Sequence, residues 1–283
     1  MIYDFIEEFN LVEEQELLED KMVKYGGELD PKFGWCVIYV GGPASGKGTA
    51  TKYLSRLQGD YYNVDDLKEI ERMWQIRDPK TGKPHADNFD TPEEDRHMGN
   101  AEFVSELHQE MKPLSKKWKK SILANPENEN GRERLPNVIF DITGDETKKI
   151  MEIVDHLKPI GYKIAIIWIL STIEKALRNN TSRPRQVDTD NVFIPKHEGV
   201  IESVEELFNS GAVDKLDEFW VIDSAVEINP SVDPVGYHKA QNVYHIPLNP
   251  DGLNYFENIA QRIEYNKGEL NRLKTKRKLL NKK

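Results

Sequence analysis

The residues best suited to chemistry fall in one run, Gly41-Gly42-Pro43-Ala44-Ser45-Gly46-Lys47-Gly48-Thr49. The run fits G-x-x-x-x-G-K, a pattern whose glycines let successive backbone N–H groups converge on phosphate oxygens while the lysine reaches the β- and γ-phosphates. Gly42, Pro43, Ala44, Ser45, Gly46, Lys47, Gly48 and Thr49 are therefore the expected contacts to a nucleotide triphosphate, ATP or GTP. Ser45 adds a hydroxyl. Gly48 stands between Lys47 and Thr49, where the pattern usually places the hydroxyl directly after the lysine. Thr49 thus suits a phosphate or helix-start contact better than the metal ligation its hydroxyl also allows.

Transfer of a phosphoryl group to a hydroxyl also needs a carboxylate that orients the acceptor and takes its proton. Asp65 and Asp66 follow the short apolar run at 61–64. Either acid could serve as that base, and the plainer reading of the pair is an N-cap for the helix that begins at Leu67, a role open to Asp66. Asp141 closes Val138-Ile-Phe140 and is the second acid, suited to holding Mg²⁺ or orienting the acceptor; Mg²⁺ uses few protein carboxylates and keeps several waters. Thr143 lies two residues on and could touch substrate or the metal shell. Charge gathering at the β/γ bridge calls for cations, and arginine's planar donor fork fits that task. Arg178, Arg183 and Arg185 cluster in Leu177-Arg-Asn-Asn-Thr-Ser-Arg-Pro-Arg185, where Pro184 ends any helix and puts Arg183 and Arg185 on a turn able to close over phosphate. Each arginine taken singly also reads as an ordinary solvated residue. His85, His97 and His108 form no helix-face metal pair, His197 reads as a surface residue, and Trp74, Trp118 and Tyr62 read as core.

These residues need a frame. The continuous apolar run at 35–40 reads as a strand buried on both faces of a parallel sheet. It feeds the glycine-rich turn and a helix at about 47–57. Further strands are expected at 61–64, 137–142, 162–170 and 219–222, with an edge strand at 243–246. Helices are expected at 2–25, 145–157 and from about 254, and a longer one from Thr91-Pro92-Glu93-Glu94 to about 124. Residues 77–90 read as a loop. Strands alternating with helices imply an α/β fold with a doubly wound parallel sheet. The chain reads as a single domain, with an N-terminal helix at 1–27, a core at 35–77 and 136–250, a helical insertion at 78–135 and a basic tail at 267–283.

The phosphate loop resembles that of adenylate-kinase-like P-loop kinases. The wider layout, with Asn63-Val64-Asp65 after the second strand, Phe140-Asp141-Ile-Thr143-Gly on the third and arginines after the fourth, is similar to zeta-toxin-like kinases. The resemblance covers roughly 35–225. It implies a five-stranded sheet in the order 2-3-1-4-5, Asp65 as the carry-over of the second acid in an Asp-x-Asp pattern whose first acid is here Asn63, Thr143 as the hydroxyl of Asp-x-Thr, and a lid at the arginines. It further implies Mg²⁺-dependent transfer from ATP to a hydroxyl of a small metabolite such as a nucleotide sugar. A nucleotide or nucleic-acid kinase, acting on a 5′-hydroxyl end or a modified base, stays open beside it, as does a nucleotide-dependent switch without catalysis.

Composition narrows the classes. The 283 residues carry a net charge of −10, yet 267–283 hold eight Lys/Arg and one Glu, which leaves −17 on the rest. An acidic body does not suit a protein that coats nucleic acid, since phosphate neutralisation supplies most of that affinity. The tail keeps a nucleic-acid contact open beside the plainer reading of a solvated helix end. No apolar run reaches the ~18 residues a membrane helix needs, and the acidic start MIYDFIEEFN is unlike a secretion signal, so a cytoplasmic protein is expected. The one cysteine, Cys36, allows no internal disulfide and no cysteine zinc site. The oligomeric state is not readable from the sequence, although the acidic N-terminal helix could be a partner surface.

Overall fold

The computed structural model describes residues 19, 21–63, 89–96, 100–123, 135–183, 186–224, 228 and 231–280. All six residues of β1 (Trp35–Val40) and seven of the eight of β4 (Lys163–Leu170) are buried. A strand apolar on both sides is stable only inside a sheet covered on both faces. β1 accordingly runs parallel to β4 on one side and to β3 (Val138–Asp141) on the other, with Ile38 in register with Ile166 and Phe140. β2 (Asp60–Asn63) extends the sheet beyond β3, and β5 (Glu218–Asp223) extends it beyond β4. The order is β2-β3-β1-β4-β5-β6. The first five strands follow the order that the resemblance implies. The sixth, β6 (Asn242–His245), is the edge strand expected at 243–246 and takes the sheet beyond the five strands that the resemblance implies: it pairs antiparallel with β5 and forms the half-exposed edge.

Alternation along each strand feeds two core layers. Cys36, Ile38, Val40, Ile164, Ile166 and Trp168 face one side, under α3 (Thr147–Leu157), α5 (Ile194–Asn209) and α7 (Glu257–Leu280). Val37, Tyr39, Ala165 and Ile167 face the other, with Ala50 and Leu54 of α1 (Lys47–Leu54). Burying a side chain of this size contributes about 1.5–3 kcal/mol, so this double-sided burial is what fixes the carboxyl end of β1, where the phosphate loop begins. α4 (Ile173–Ser182) follows β4, and α6 (Pro234–Ala240) precedes β6. α5 has no counterpart in the sequence reading. A π-helical turn, Thr189–Phe193, leads into it.

Several boundaries move for identifiable reasons. α1 stops at Leu54 rather than near 57, because Ser55 turns extended and hydrogen-bonds Tyr25 Oη at 2.6 Å. Of the helix expected at 2–25, residues 1–18 and 20 lie outside the described residues. Residues 21–25 are not helical: Val23 and Tyr25 enter the core and Tyr25 bridges to Glu28. The insertion helix α2 (Ala101–Leu123) does not start at Thr91. Asn100 caps it, its Oδ1 accepting from the amides of Glu102 (2.9 Å) and Phe103 (3.2 Å), while the amide and hydroxyl of Thr91 donate to Glu106. It continues unbroken through Pro113. The loop expected at 77–90 and the end of the second strand at Val64 fall largely outside the described residues, and only Phe89 and Asp90 of that loop are described.

The basic tail follows its plainer reading as a helix end. Most of it belongs to α7, where Lys267 pairs with Glu205, Arg272 with Glu269, Lys274 with Glu198 and Arg277 with Asp190. Much of the charge is thus spent on α5 and the turn before it. Among the described residues, no helix is long and apolar enough to cross a membrane.

Candidate functional site

β1 ends at Val40, and the chain turns through residues 41–46 into α1. Two residues of the turn adopt left-handed backbone, Ala44 at φ 59° and Gly46 at φ 100°. Gly46 is the N-cap of α1 and no side chain caps the helix there, so its first-turn amides and the positive end of its dipole are presented to an anion. Three successive carbonyls of the turn are tied down by side chains from three other elements. His197 Nε2 of α5 donates to Pro43 O at 2.9 Å, Asn179 Nδ2 of α4 to Ala44 O at 3.2 Å, and Ser224 Oγ, just past β5, to Ser45 O at 2.9 Å. A trans peptide carries its N–H opposite its carbonyl, so the amides of Ala44 and Gly46 are turned away from these donors.

Gly42 is required by space. A Cβ there would fall 2.3 Å from His197 Nδ1, inside the imidazole. His197 is not the surface residue that its sequence position suggests. It is buried, and it packs on Phe193 with ring centroids 4.4 Å apart. Burial, with a smaller contribution from the Lys47 charge, pushes its pKa down to about 4, so the ring is neutral and donates through Nε2 at neutral pH.

Lys47 Nζ donates to Gly41 O at 2.6 Å and lies 4.0 Å from Asp141 Oδ1. Asp141 is buried at the end of β3, in register with Asn63 of β2. Its Oδ2 accepts from Tyr61 Oη at 3.0 Å and Asn63 Nδ2 at 3.3 Å, two side chains on the same face of β2. Asn63, the departure from Asp-x-Asp, therefore serves as a donor that orients Asp141. Ser45 lines the same space, and its Oγ is buried without a hydrogen-bond partner. That orphaned hydroxyl, the uncapped helix start and the Lys47–Asp141 pair fit a nucleotide phosphate with Mg²⁺. Thr49 and Asp141 both line this space and are the residues that could hold the metal. Among the described residues, no group of three His, Cys, Asp or Glu side chains comes together.

The loop opens on a cleft of about 1710 Å³. Thr143 lines it, and its carbonyl accepts from the Gly41 amide at 3.0 Å. Arg183, at the extended C-cap of α4, lines it together with Asn179 and Ser182. Arg178 is exposed on α4 and is not part of the cleft wall. The turn carrying Arg183 is anchored by buried Asn180, whose amide group bonds both backbone groups of Val187 at 2.8 and 3.0 Å. Asp65, Asp66, Pro184 and Arg185 lie outside the described residues, as do Trp74, His85 and His97. His108 lines the far side of the cleft, and Tyr62 is core, packed on Phe140. His197, Asn179 and Ser224 were missed in the sequence because each lies more than 130 residues from the carbonyl it holds and belongs to no local pattern.

No family model matches the chain, and no curated protein matches it. Solved structures of the AvrRxo1-ORF1:-ORF2 complex, native and with ATP, align at 12% identity and a TM-score of 0.46, over 74% of this chain. This chain spans 58% of the native AvrRxo1 complex chain. A structure from the PezAT chromosomal toxin-antitoxin system of Streptococcus pneumoniae aligns at 12% identity and a TM-score of 0.41, over 93% of this chain and 95% of that one. No residue correspondence follows at such identity.

The Gly42–His197 contact yields two expected outcomes. Gly42→Ala alone should destabilise the fold by about 1–3 kcal/mol in urea unfolding and weaken nucleotide binding. Adding His197→Ala should restore much of the binding, whereas a Gly42 role in the loop backbone alone would leave the double variant no better. The second outcome concerns pH. The unfolded chain protonates His197 near 6.5 and the folded one only near 4, so its contribution is complete above pH 6.5 and declines as pH falls toward 4. Between pH 7 and 5 the wild type should lose about 2 kcal/mol that the His197→Gln variant retains. Parallel stability curves for the two proteins would contradict the buried neutral ring.

Proposed function

We propose that the chain is a kinase that transfers the γ-phosphoryl group of ATP or GTP to a hydroxyl acceptor. The observation that carries this reading is the placement of Lys47 Nζ 4.0 Å from Asp141 Oδ1, at the mouth of a cleft of about 1710 Å³. Ligand sites commonly occupy about 300–1,000 Å³, so this cleft has room for a nucleotide and a second substrate together. A nucleotide-binding switch would need only the first.

In this reading the amides of the loop hold the triphosphate, and Lys47 leaves Gly41 O to reach the β- and γ-phosphates. Thr49 and Asp141 would hold Mg²⁺, which supplies neutralisation of charge between those phosphates when bound. Asp65 lies two residues beyond Asn63, the partner of Asp141 in the sheet, and takes the proton of the acceptor hydroxyl. The acceptor oxygen then bonds to the γ-phosphorus as the bond to the β-bridging oxygen breaks, and the nucleoside diphosphate leaves. Arg183 is the described lid cation that lines the cleft, and Arg185 lies two residues further along the sequence. Thr143 contacts the acceptor. A small metabolite such as a nucleotide sugar is the acceptor that the resemblance favours.

The test is nucleotide consumption with Mg²⁺ across pooled acceptors, for wild type, Lys47→Met and Asp65→Asn. Turnover confined to one pool is expected, with kcat lowered about 10²-fold or more in each variant. Acceptor-independent turnover that Asp65→Asn leaves unchanged, or nucleotide binding with no turnover, would replace the kinase by a switch.

A further inference from the structure

α2 lines the same cleft as the loop at 43–49. Val104, His108, Lys112, Lys116 and Lys120 all line the cleft at four-residue spacing, one continuous ridge of the helix, with Lys117 beside it. From Met111 to Leu123 the sequence holds five lysines and no acid. Lysines four apart on one ridge repel each other.

In a chain of net charge −10 such a stretch is anomalous. Six other lysines, at 149, 158, 196, 215, 267 and 274, each reach a carboxylate. Among the described residues, no carboxylate comes within ion-pair distance of Lys112, Lys116, Lys117 or Lys120, all of which are exposed. The N-terminal half of the helix is buried through Phe103, Val104, Leu107 and Met111, which anchors the ridge against the cleft. At 1.5 Å per residue, Lys112 to Lys120 spans about 12 Å, enough for more than one phosphate group.

We propose that this ridge binds phosphate groups carried by the acceptor itself. The hydroxyl that receives the γ-phosphoryl group then belongs to a nucleotide-linked molecule or a nucleic-acid strand, and a neutral metabolite is a poor substrate. The inference rests on the kinase reading for the identity of its ligand as acceptor, while the anion site is measured independently. Lysine is the suitable residue for a ridge that tracks separated phosphates, since each ammonium acts as a mobile point charge without the fixed geometry of a guanidinium fork. Affinity should fall with salt, because each lysine–phosphate contact releases counterions.

The test is a fluorescence titration of the full chain, with its phosphate loop filled by a non-hydrolysable ATP analogue. The probes are a labelled nucleoside diphosphate sugar and a labelled short single-stranded DNA. Wild type should bind at least one of them in a salt-sensitive manner, and K116E/K120E should weaken that binding about tenfold or more while the analogue's own affinity stays within about twofold. Binding of the sugar nucleotide alone would identify a small acceptor, and binding of the DNA a strand. Binding of neither probe by wild type, or equal binding by wild type and K116E/K120E, overturns the ridge. Failure of wild type to bind the analogue would instead count against the kinase reading. The ridge would then be judged by the same titration without the analogue, with the same outcomes.

Discussion

Gly42 has no side chain, and the imidazole of His197 occupies the space one would fill. That contact joins the phosphate loop to α5, which reaches the loop only because the sheet and its covering helices are already assembled. Neutrality of the ring is part of the same constraint, since a buried imidazolium beside Lys47 would lose hydration and meet a like charge. Asn179 and Ser224 repeat the principle from α4 and from the end of β5, each taking one carbonyl of the turn. The loop is thus shaped from outside. Its glycines permit the path, and side chains from three elements select it.

The frame follows from burial. β1 and β4 have no polar face to offer, so they must lie at the centre, and the described candidate residues collect beyond the carboxyl ends of the strands. Lys47 leaves from the helix after β1, Asp141 from β3, Thr143 just beyond it and Arg183 from the helix after β4. Asn63 and Tyr61 hold Asp141 because β2 lies in register with β3 and places both side chains on the same face. The charge pattern has a similar logic. Basic residues of α7 are spent on acids of α5 and its preceding turn, whereas the lysines of α2 face the cleft.

Much of this was legible in the sequence where the signal is local. The apolar run at 35–40 and the glycine spacing predict a buried strand that turns into a helix near Lys47, and both lie where they were expected. The elements that were misread depend on distant partners. Residues 21–25 carry helical spacing, but Val23 and Tyr25 are apolar because they seal the core. Thr91-Pro92-Glu93-Glu94 has the composition of a helix start, yet Thr91 binds Glu106, and Asn100, which has no acid three residues later to mark it, caps the helix. His197 carries no pattern at all; its role exists only once α5 has been packed beneath the loop.

Kinase activity in this chain requires the backbone of residues 42–49 to be a preformed phosphate cradle. Amide hydrogen exchange with and without Mg²⁺–ATP measures that most directly. The account predicts slowed exchange at Ala44 and at Gly46 through Thr49 on adding nucleotide, an effect lost in Lys47→Met. Unchanged exchange across the loop at a nucleotide concentration that saturates the protein would contradict it.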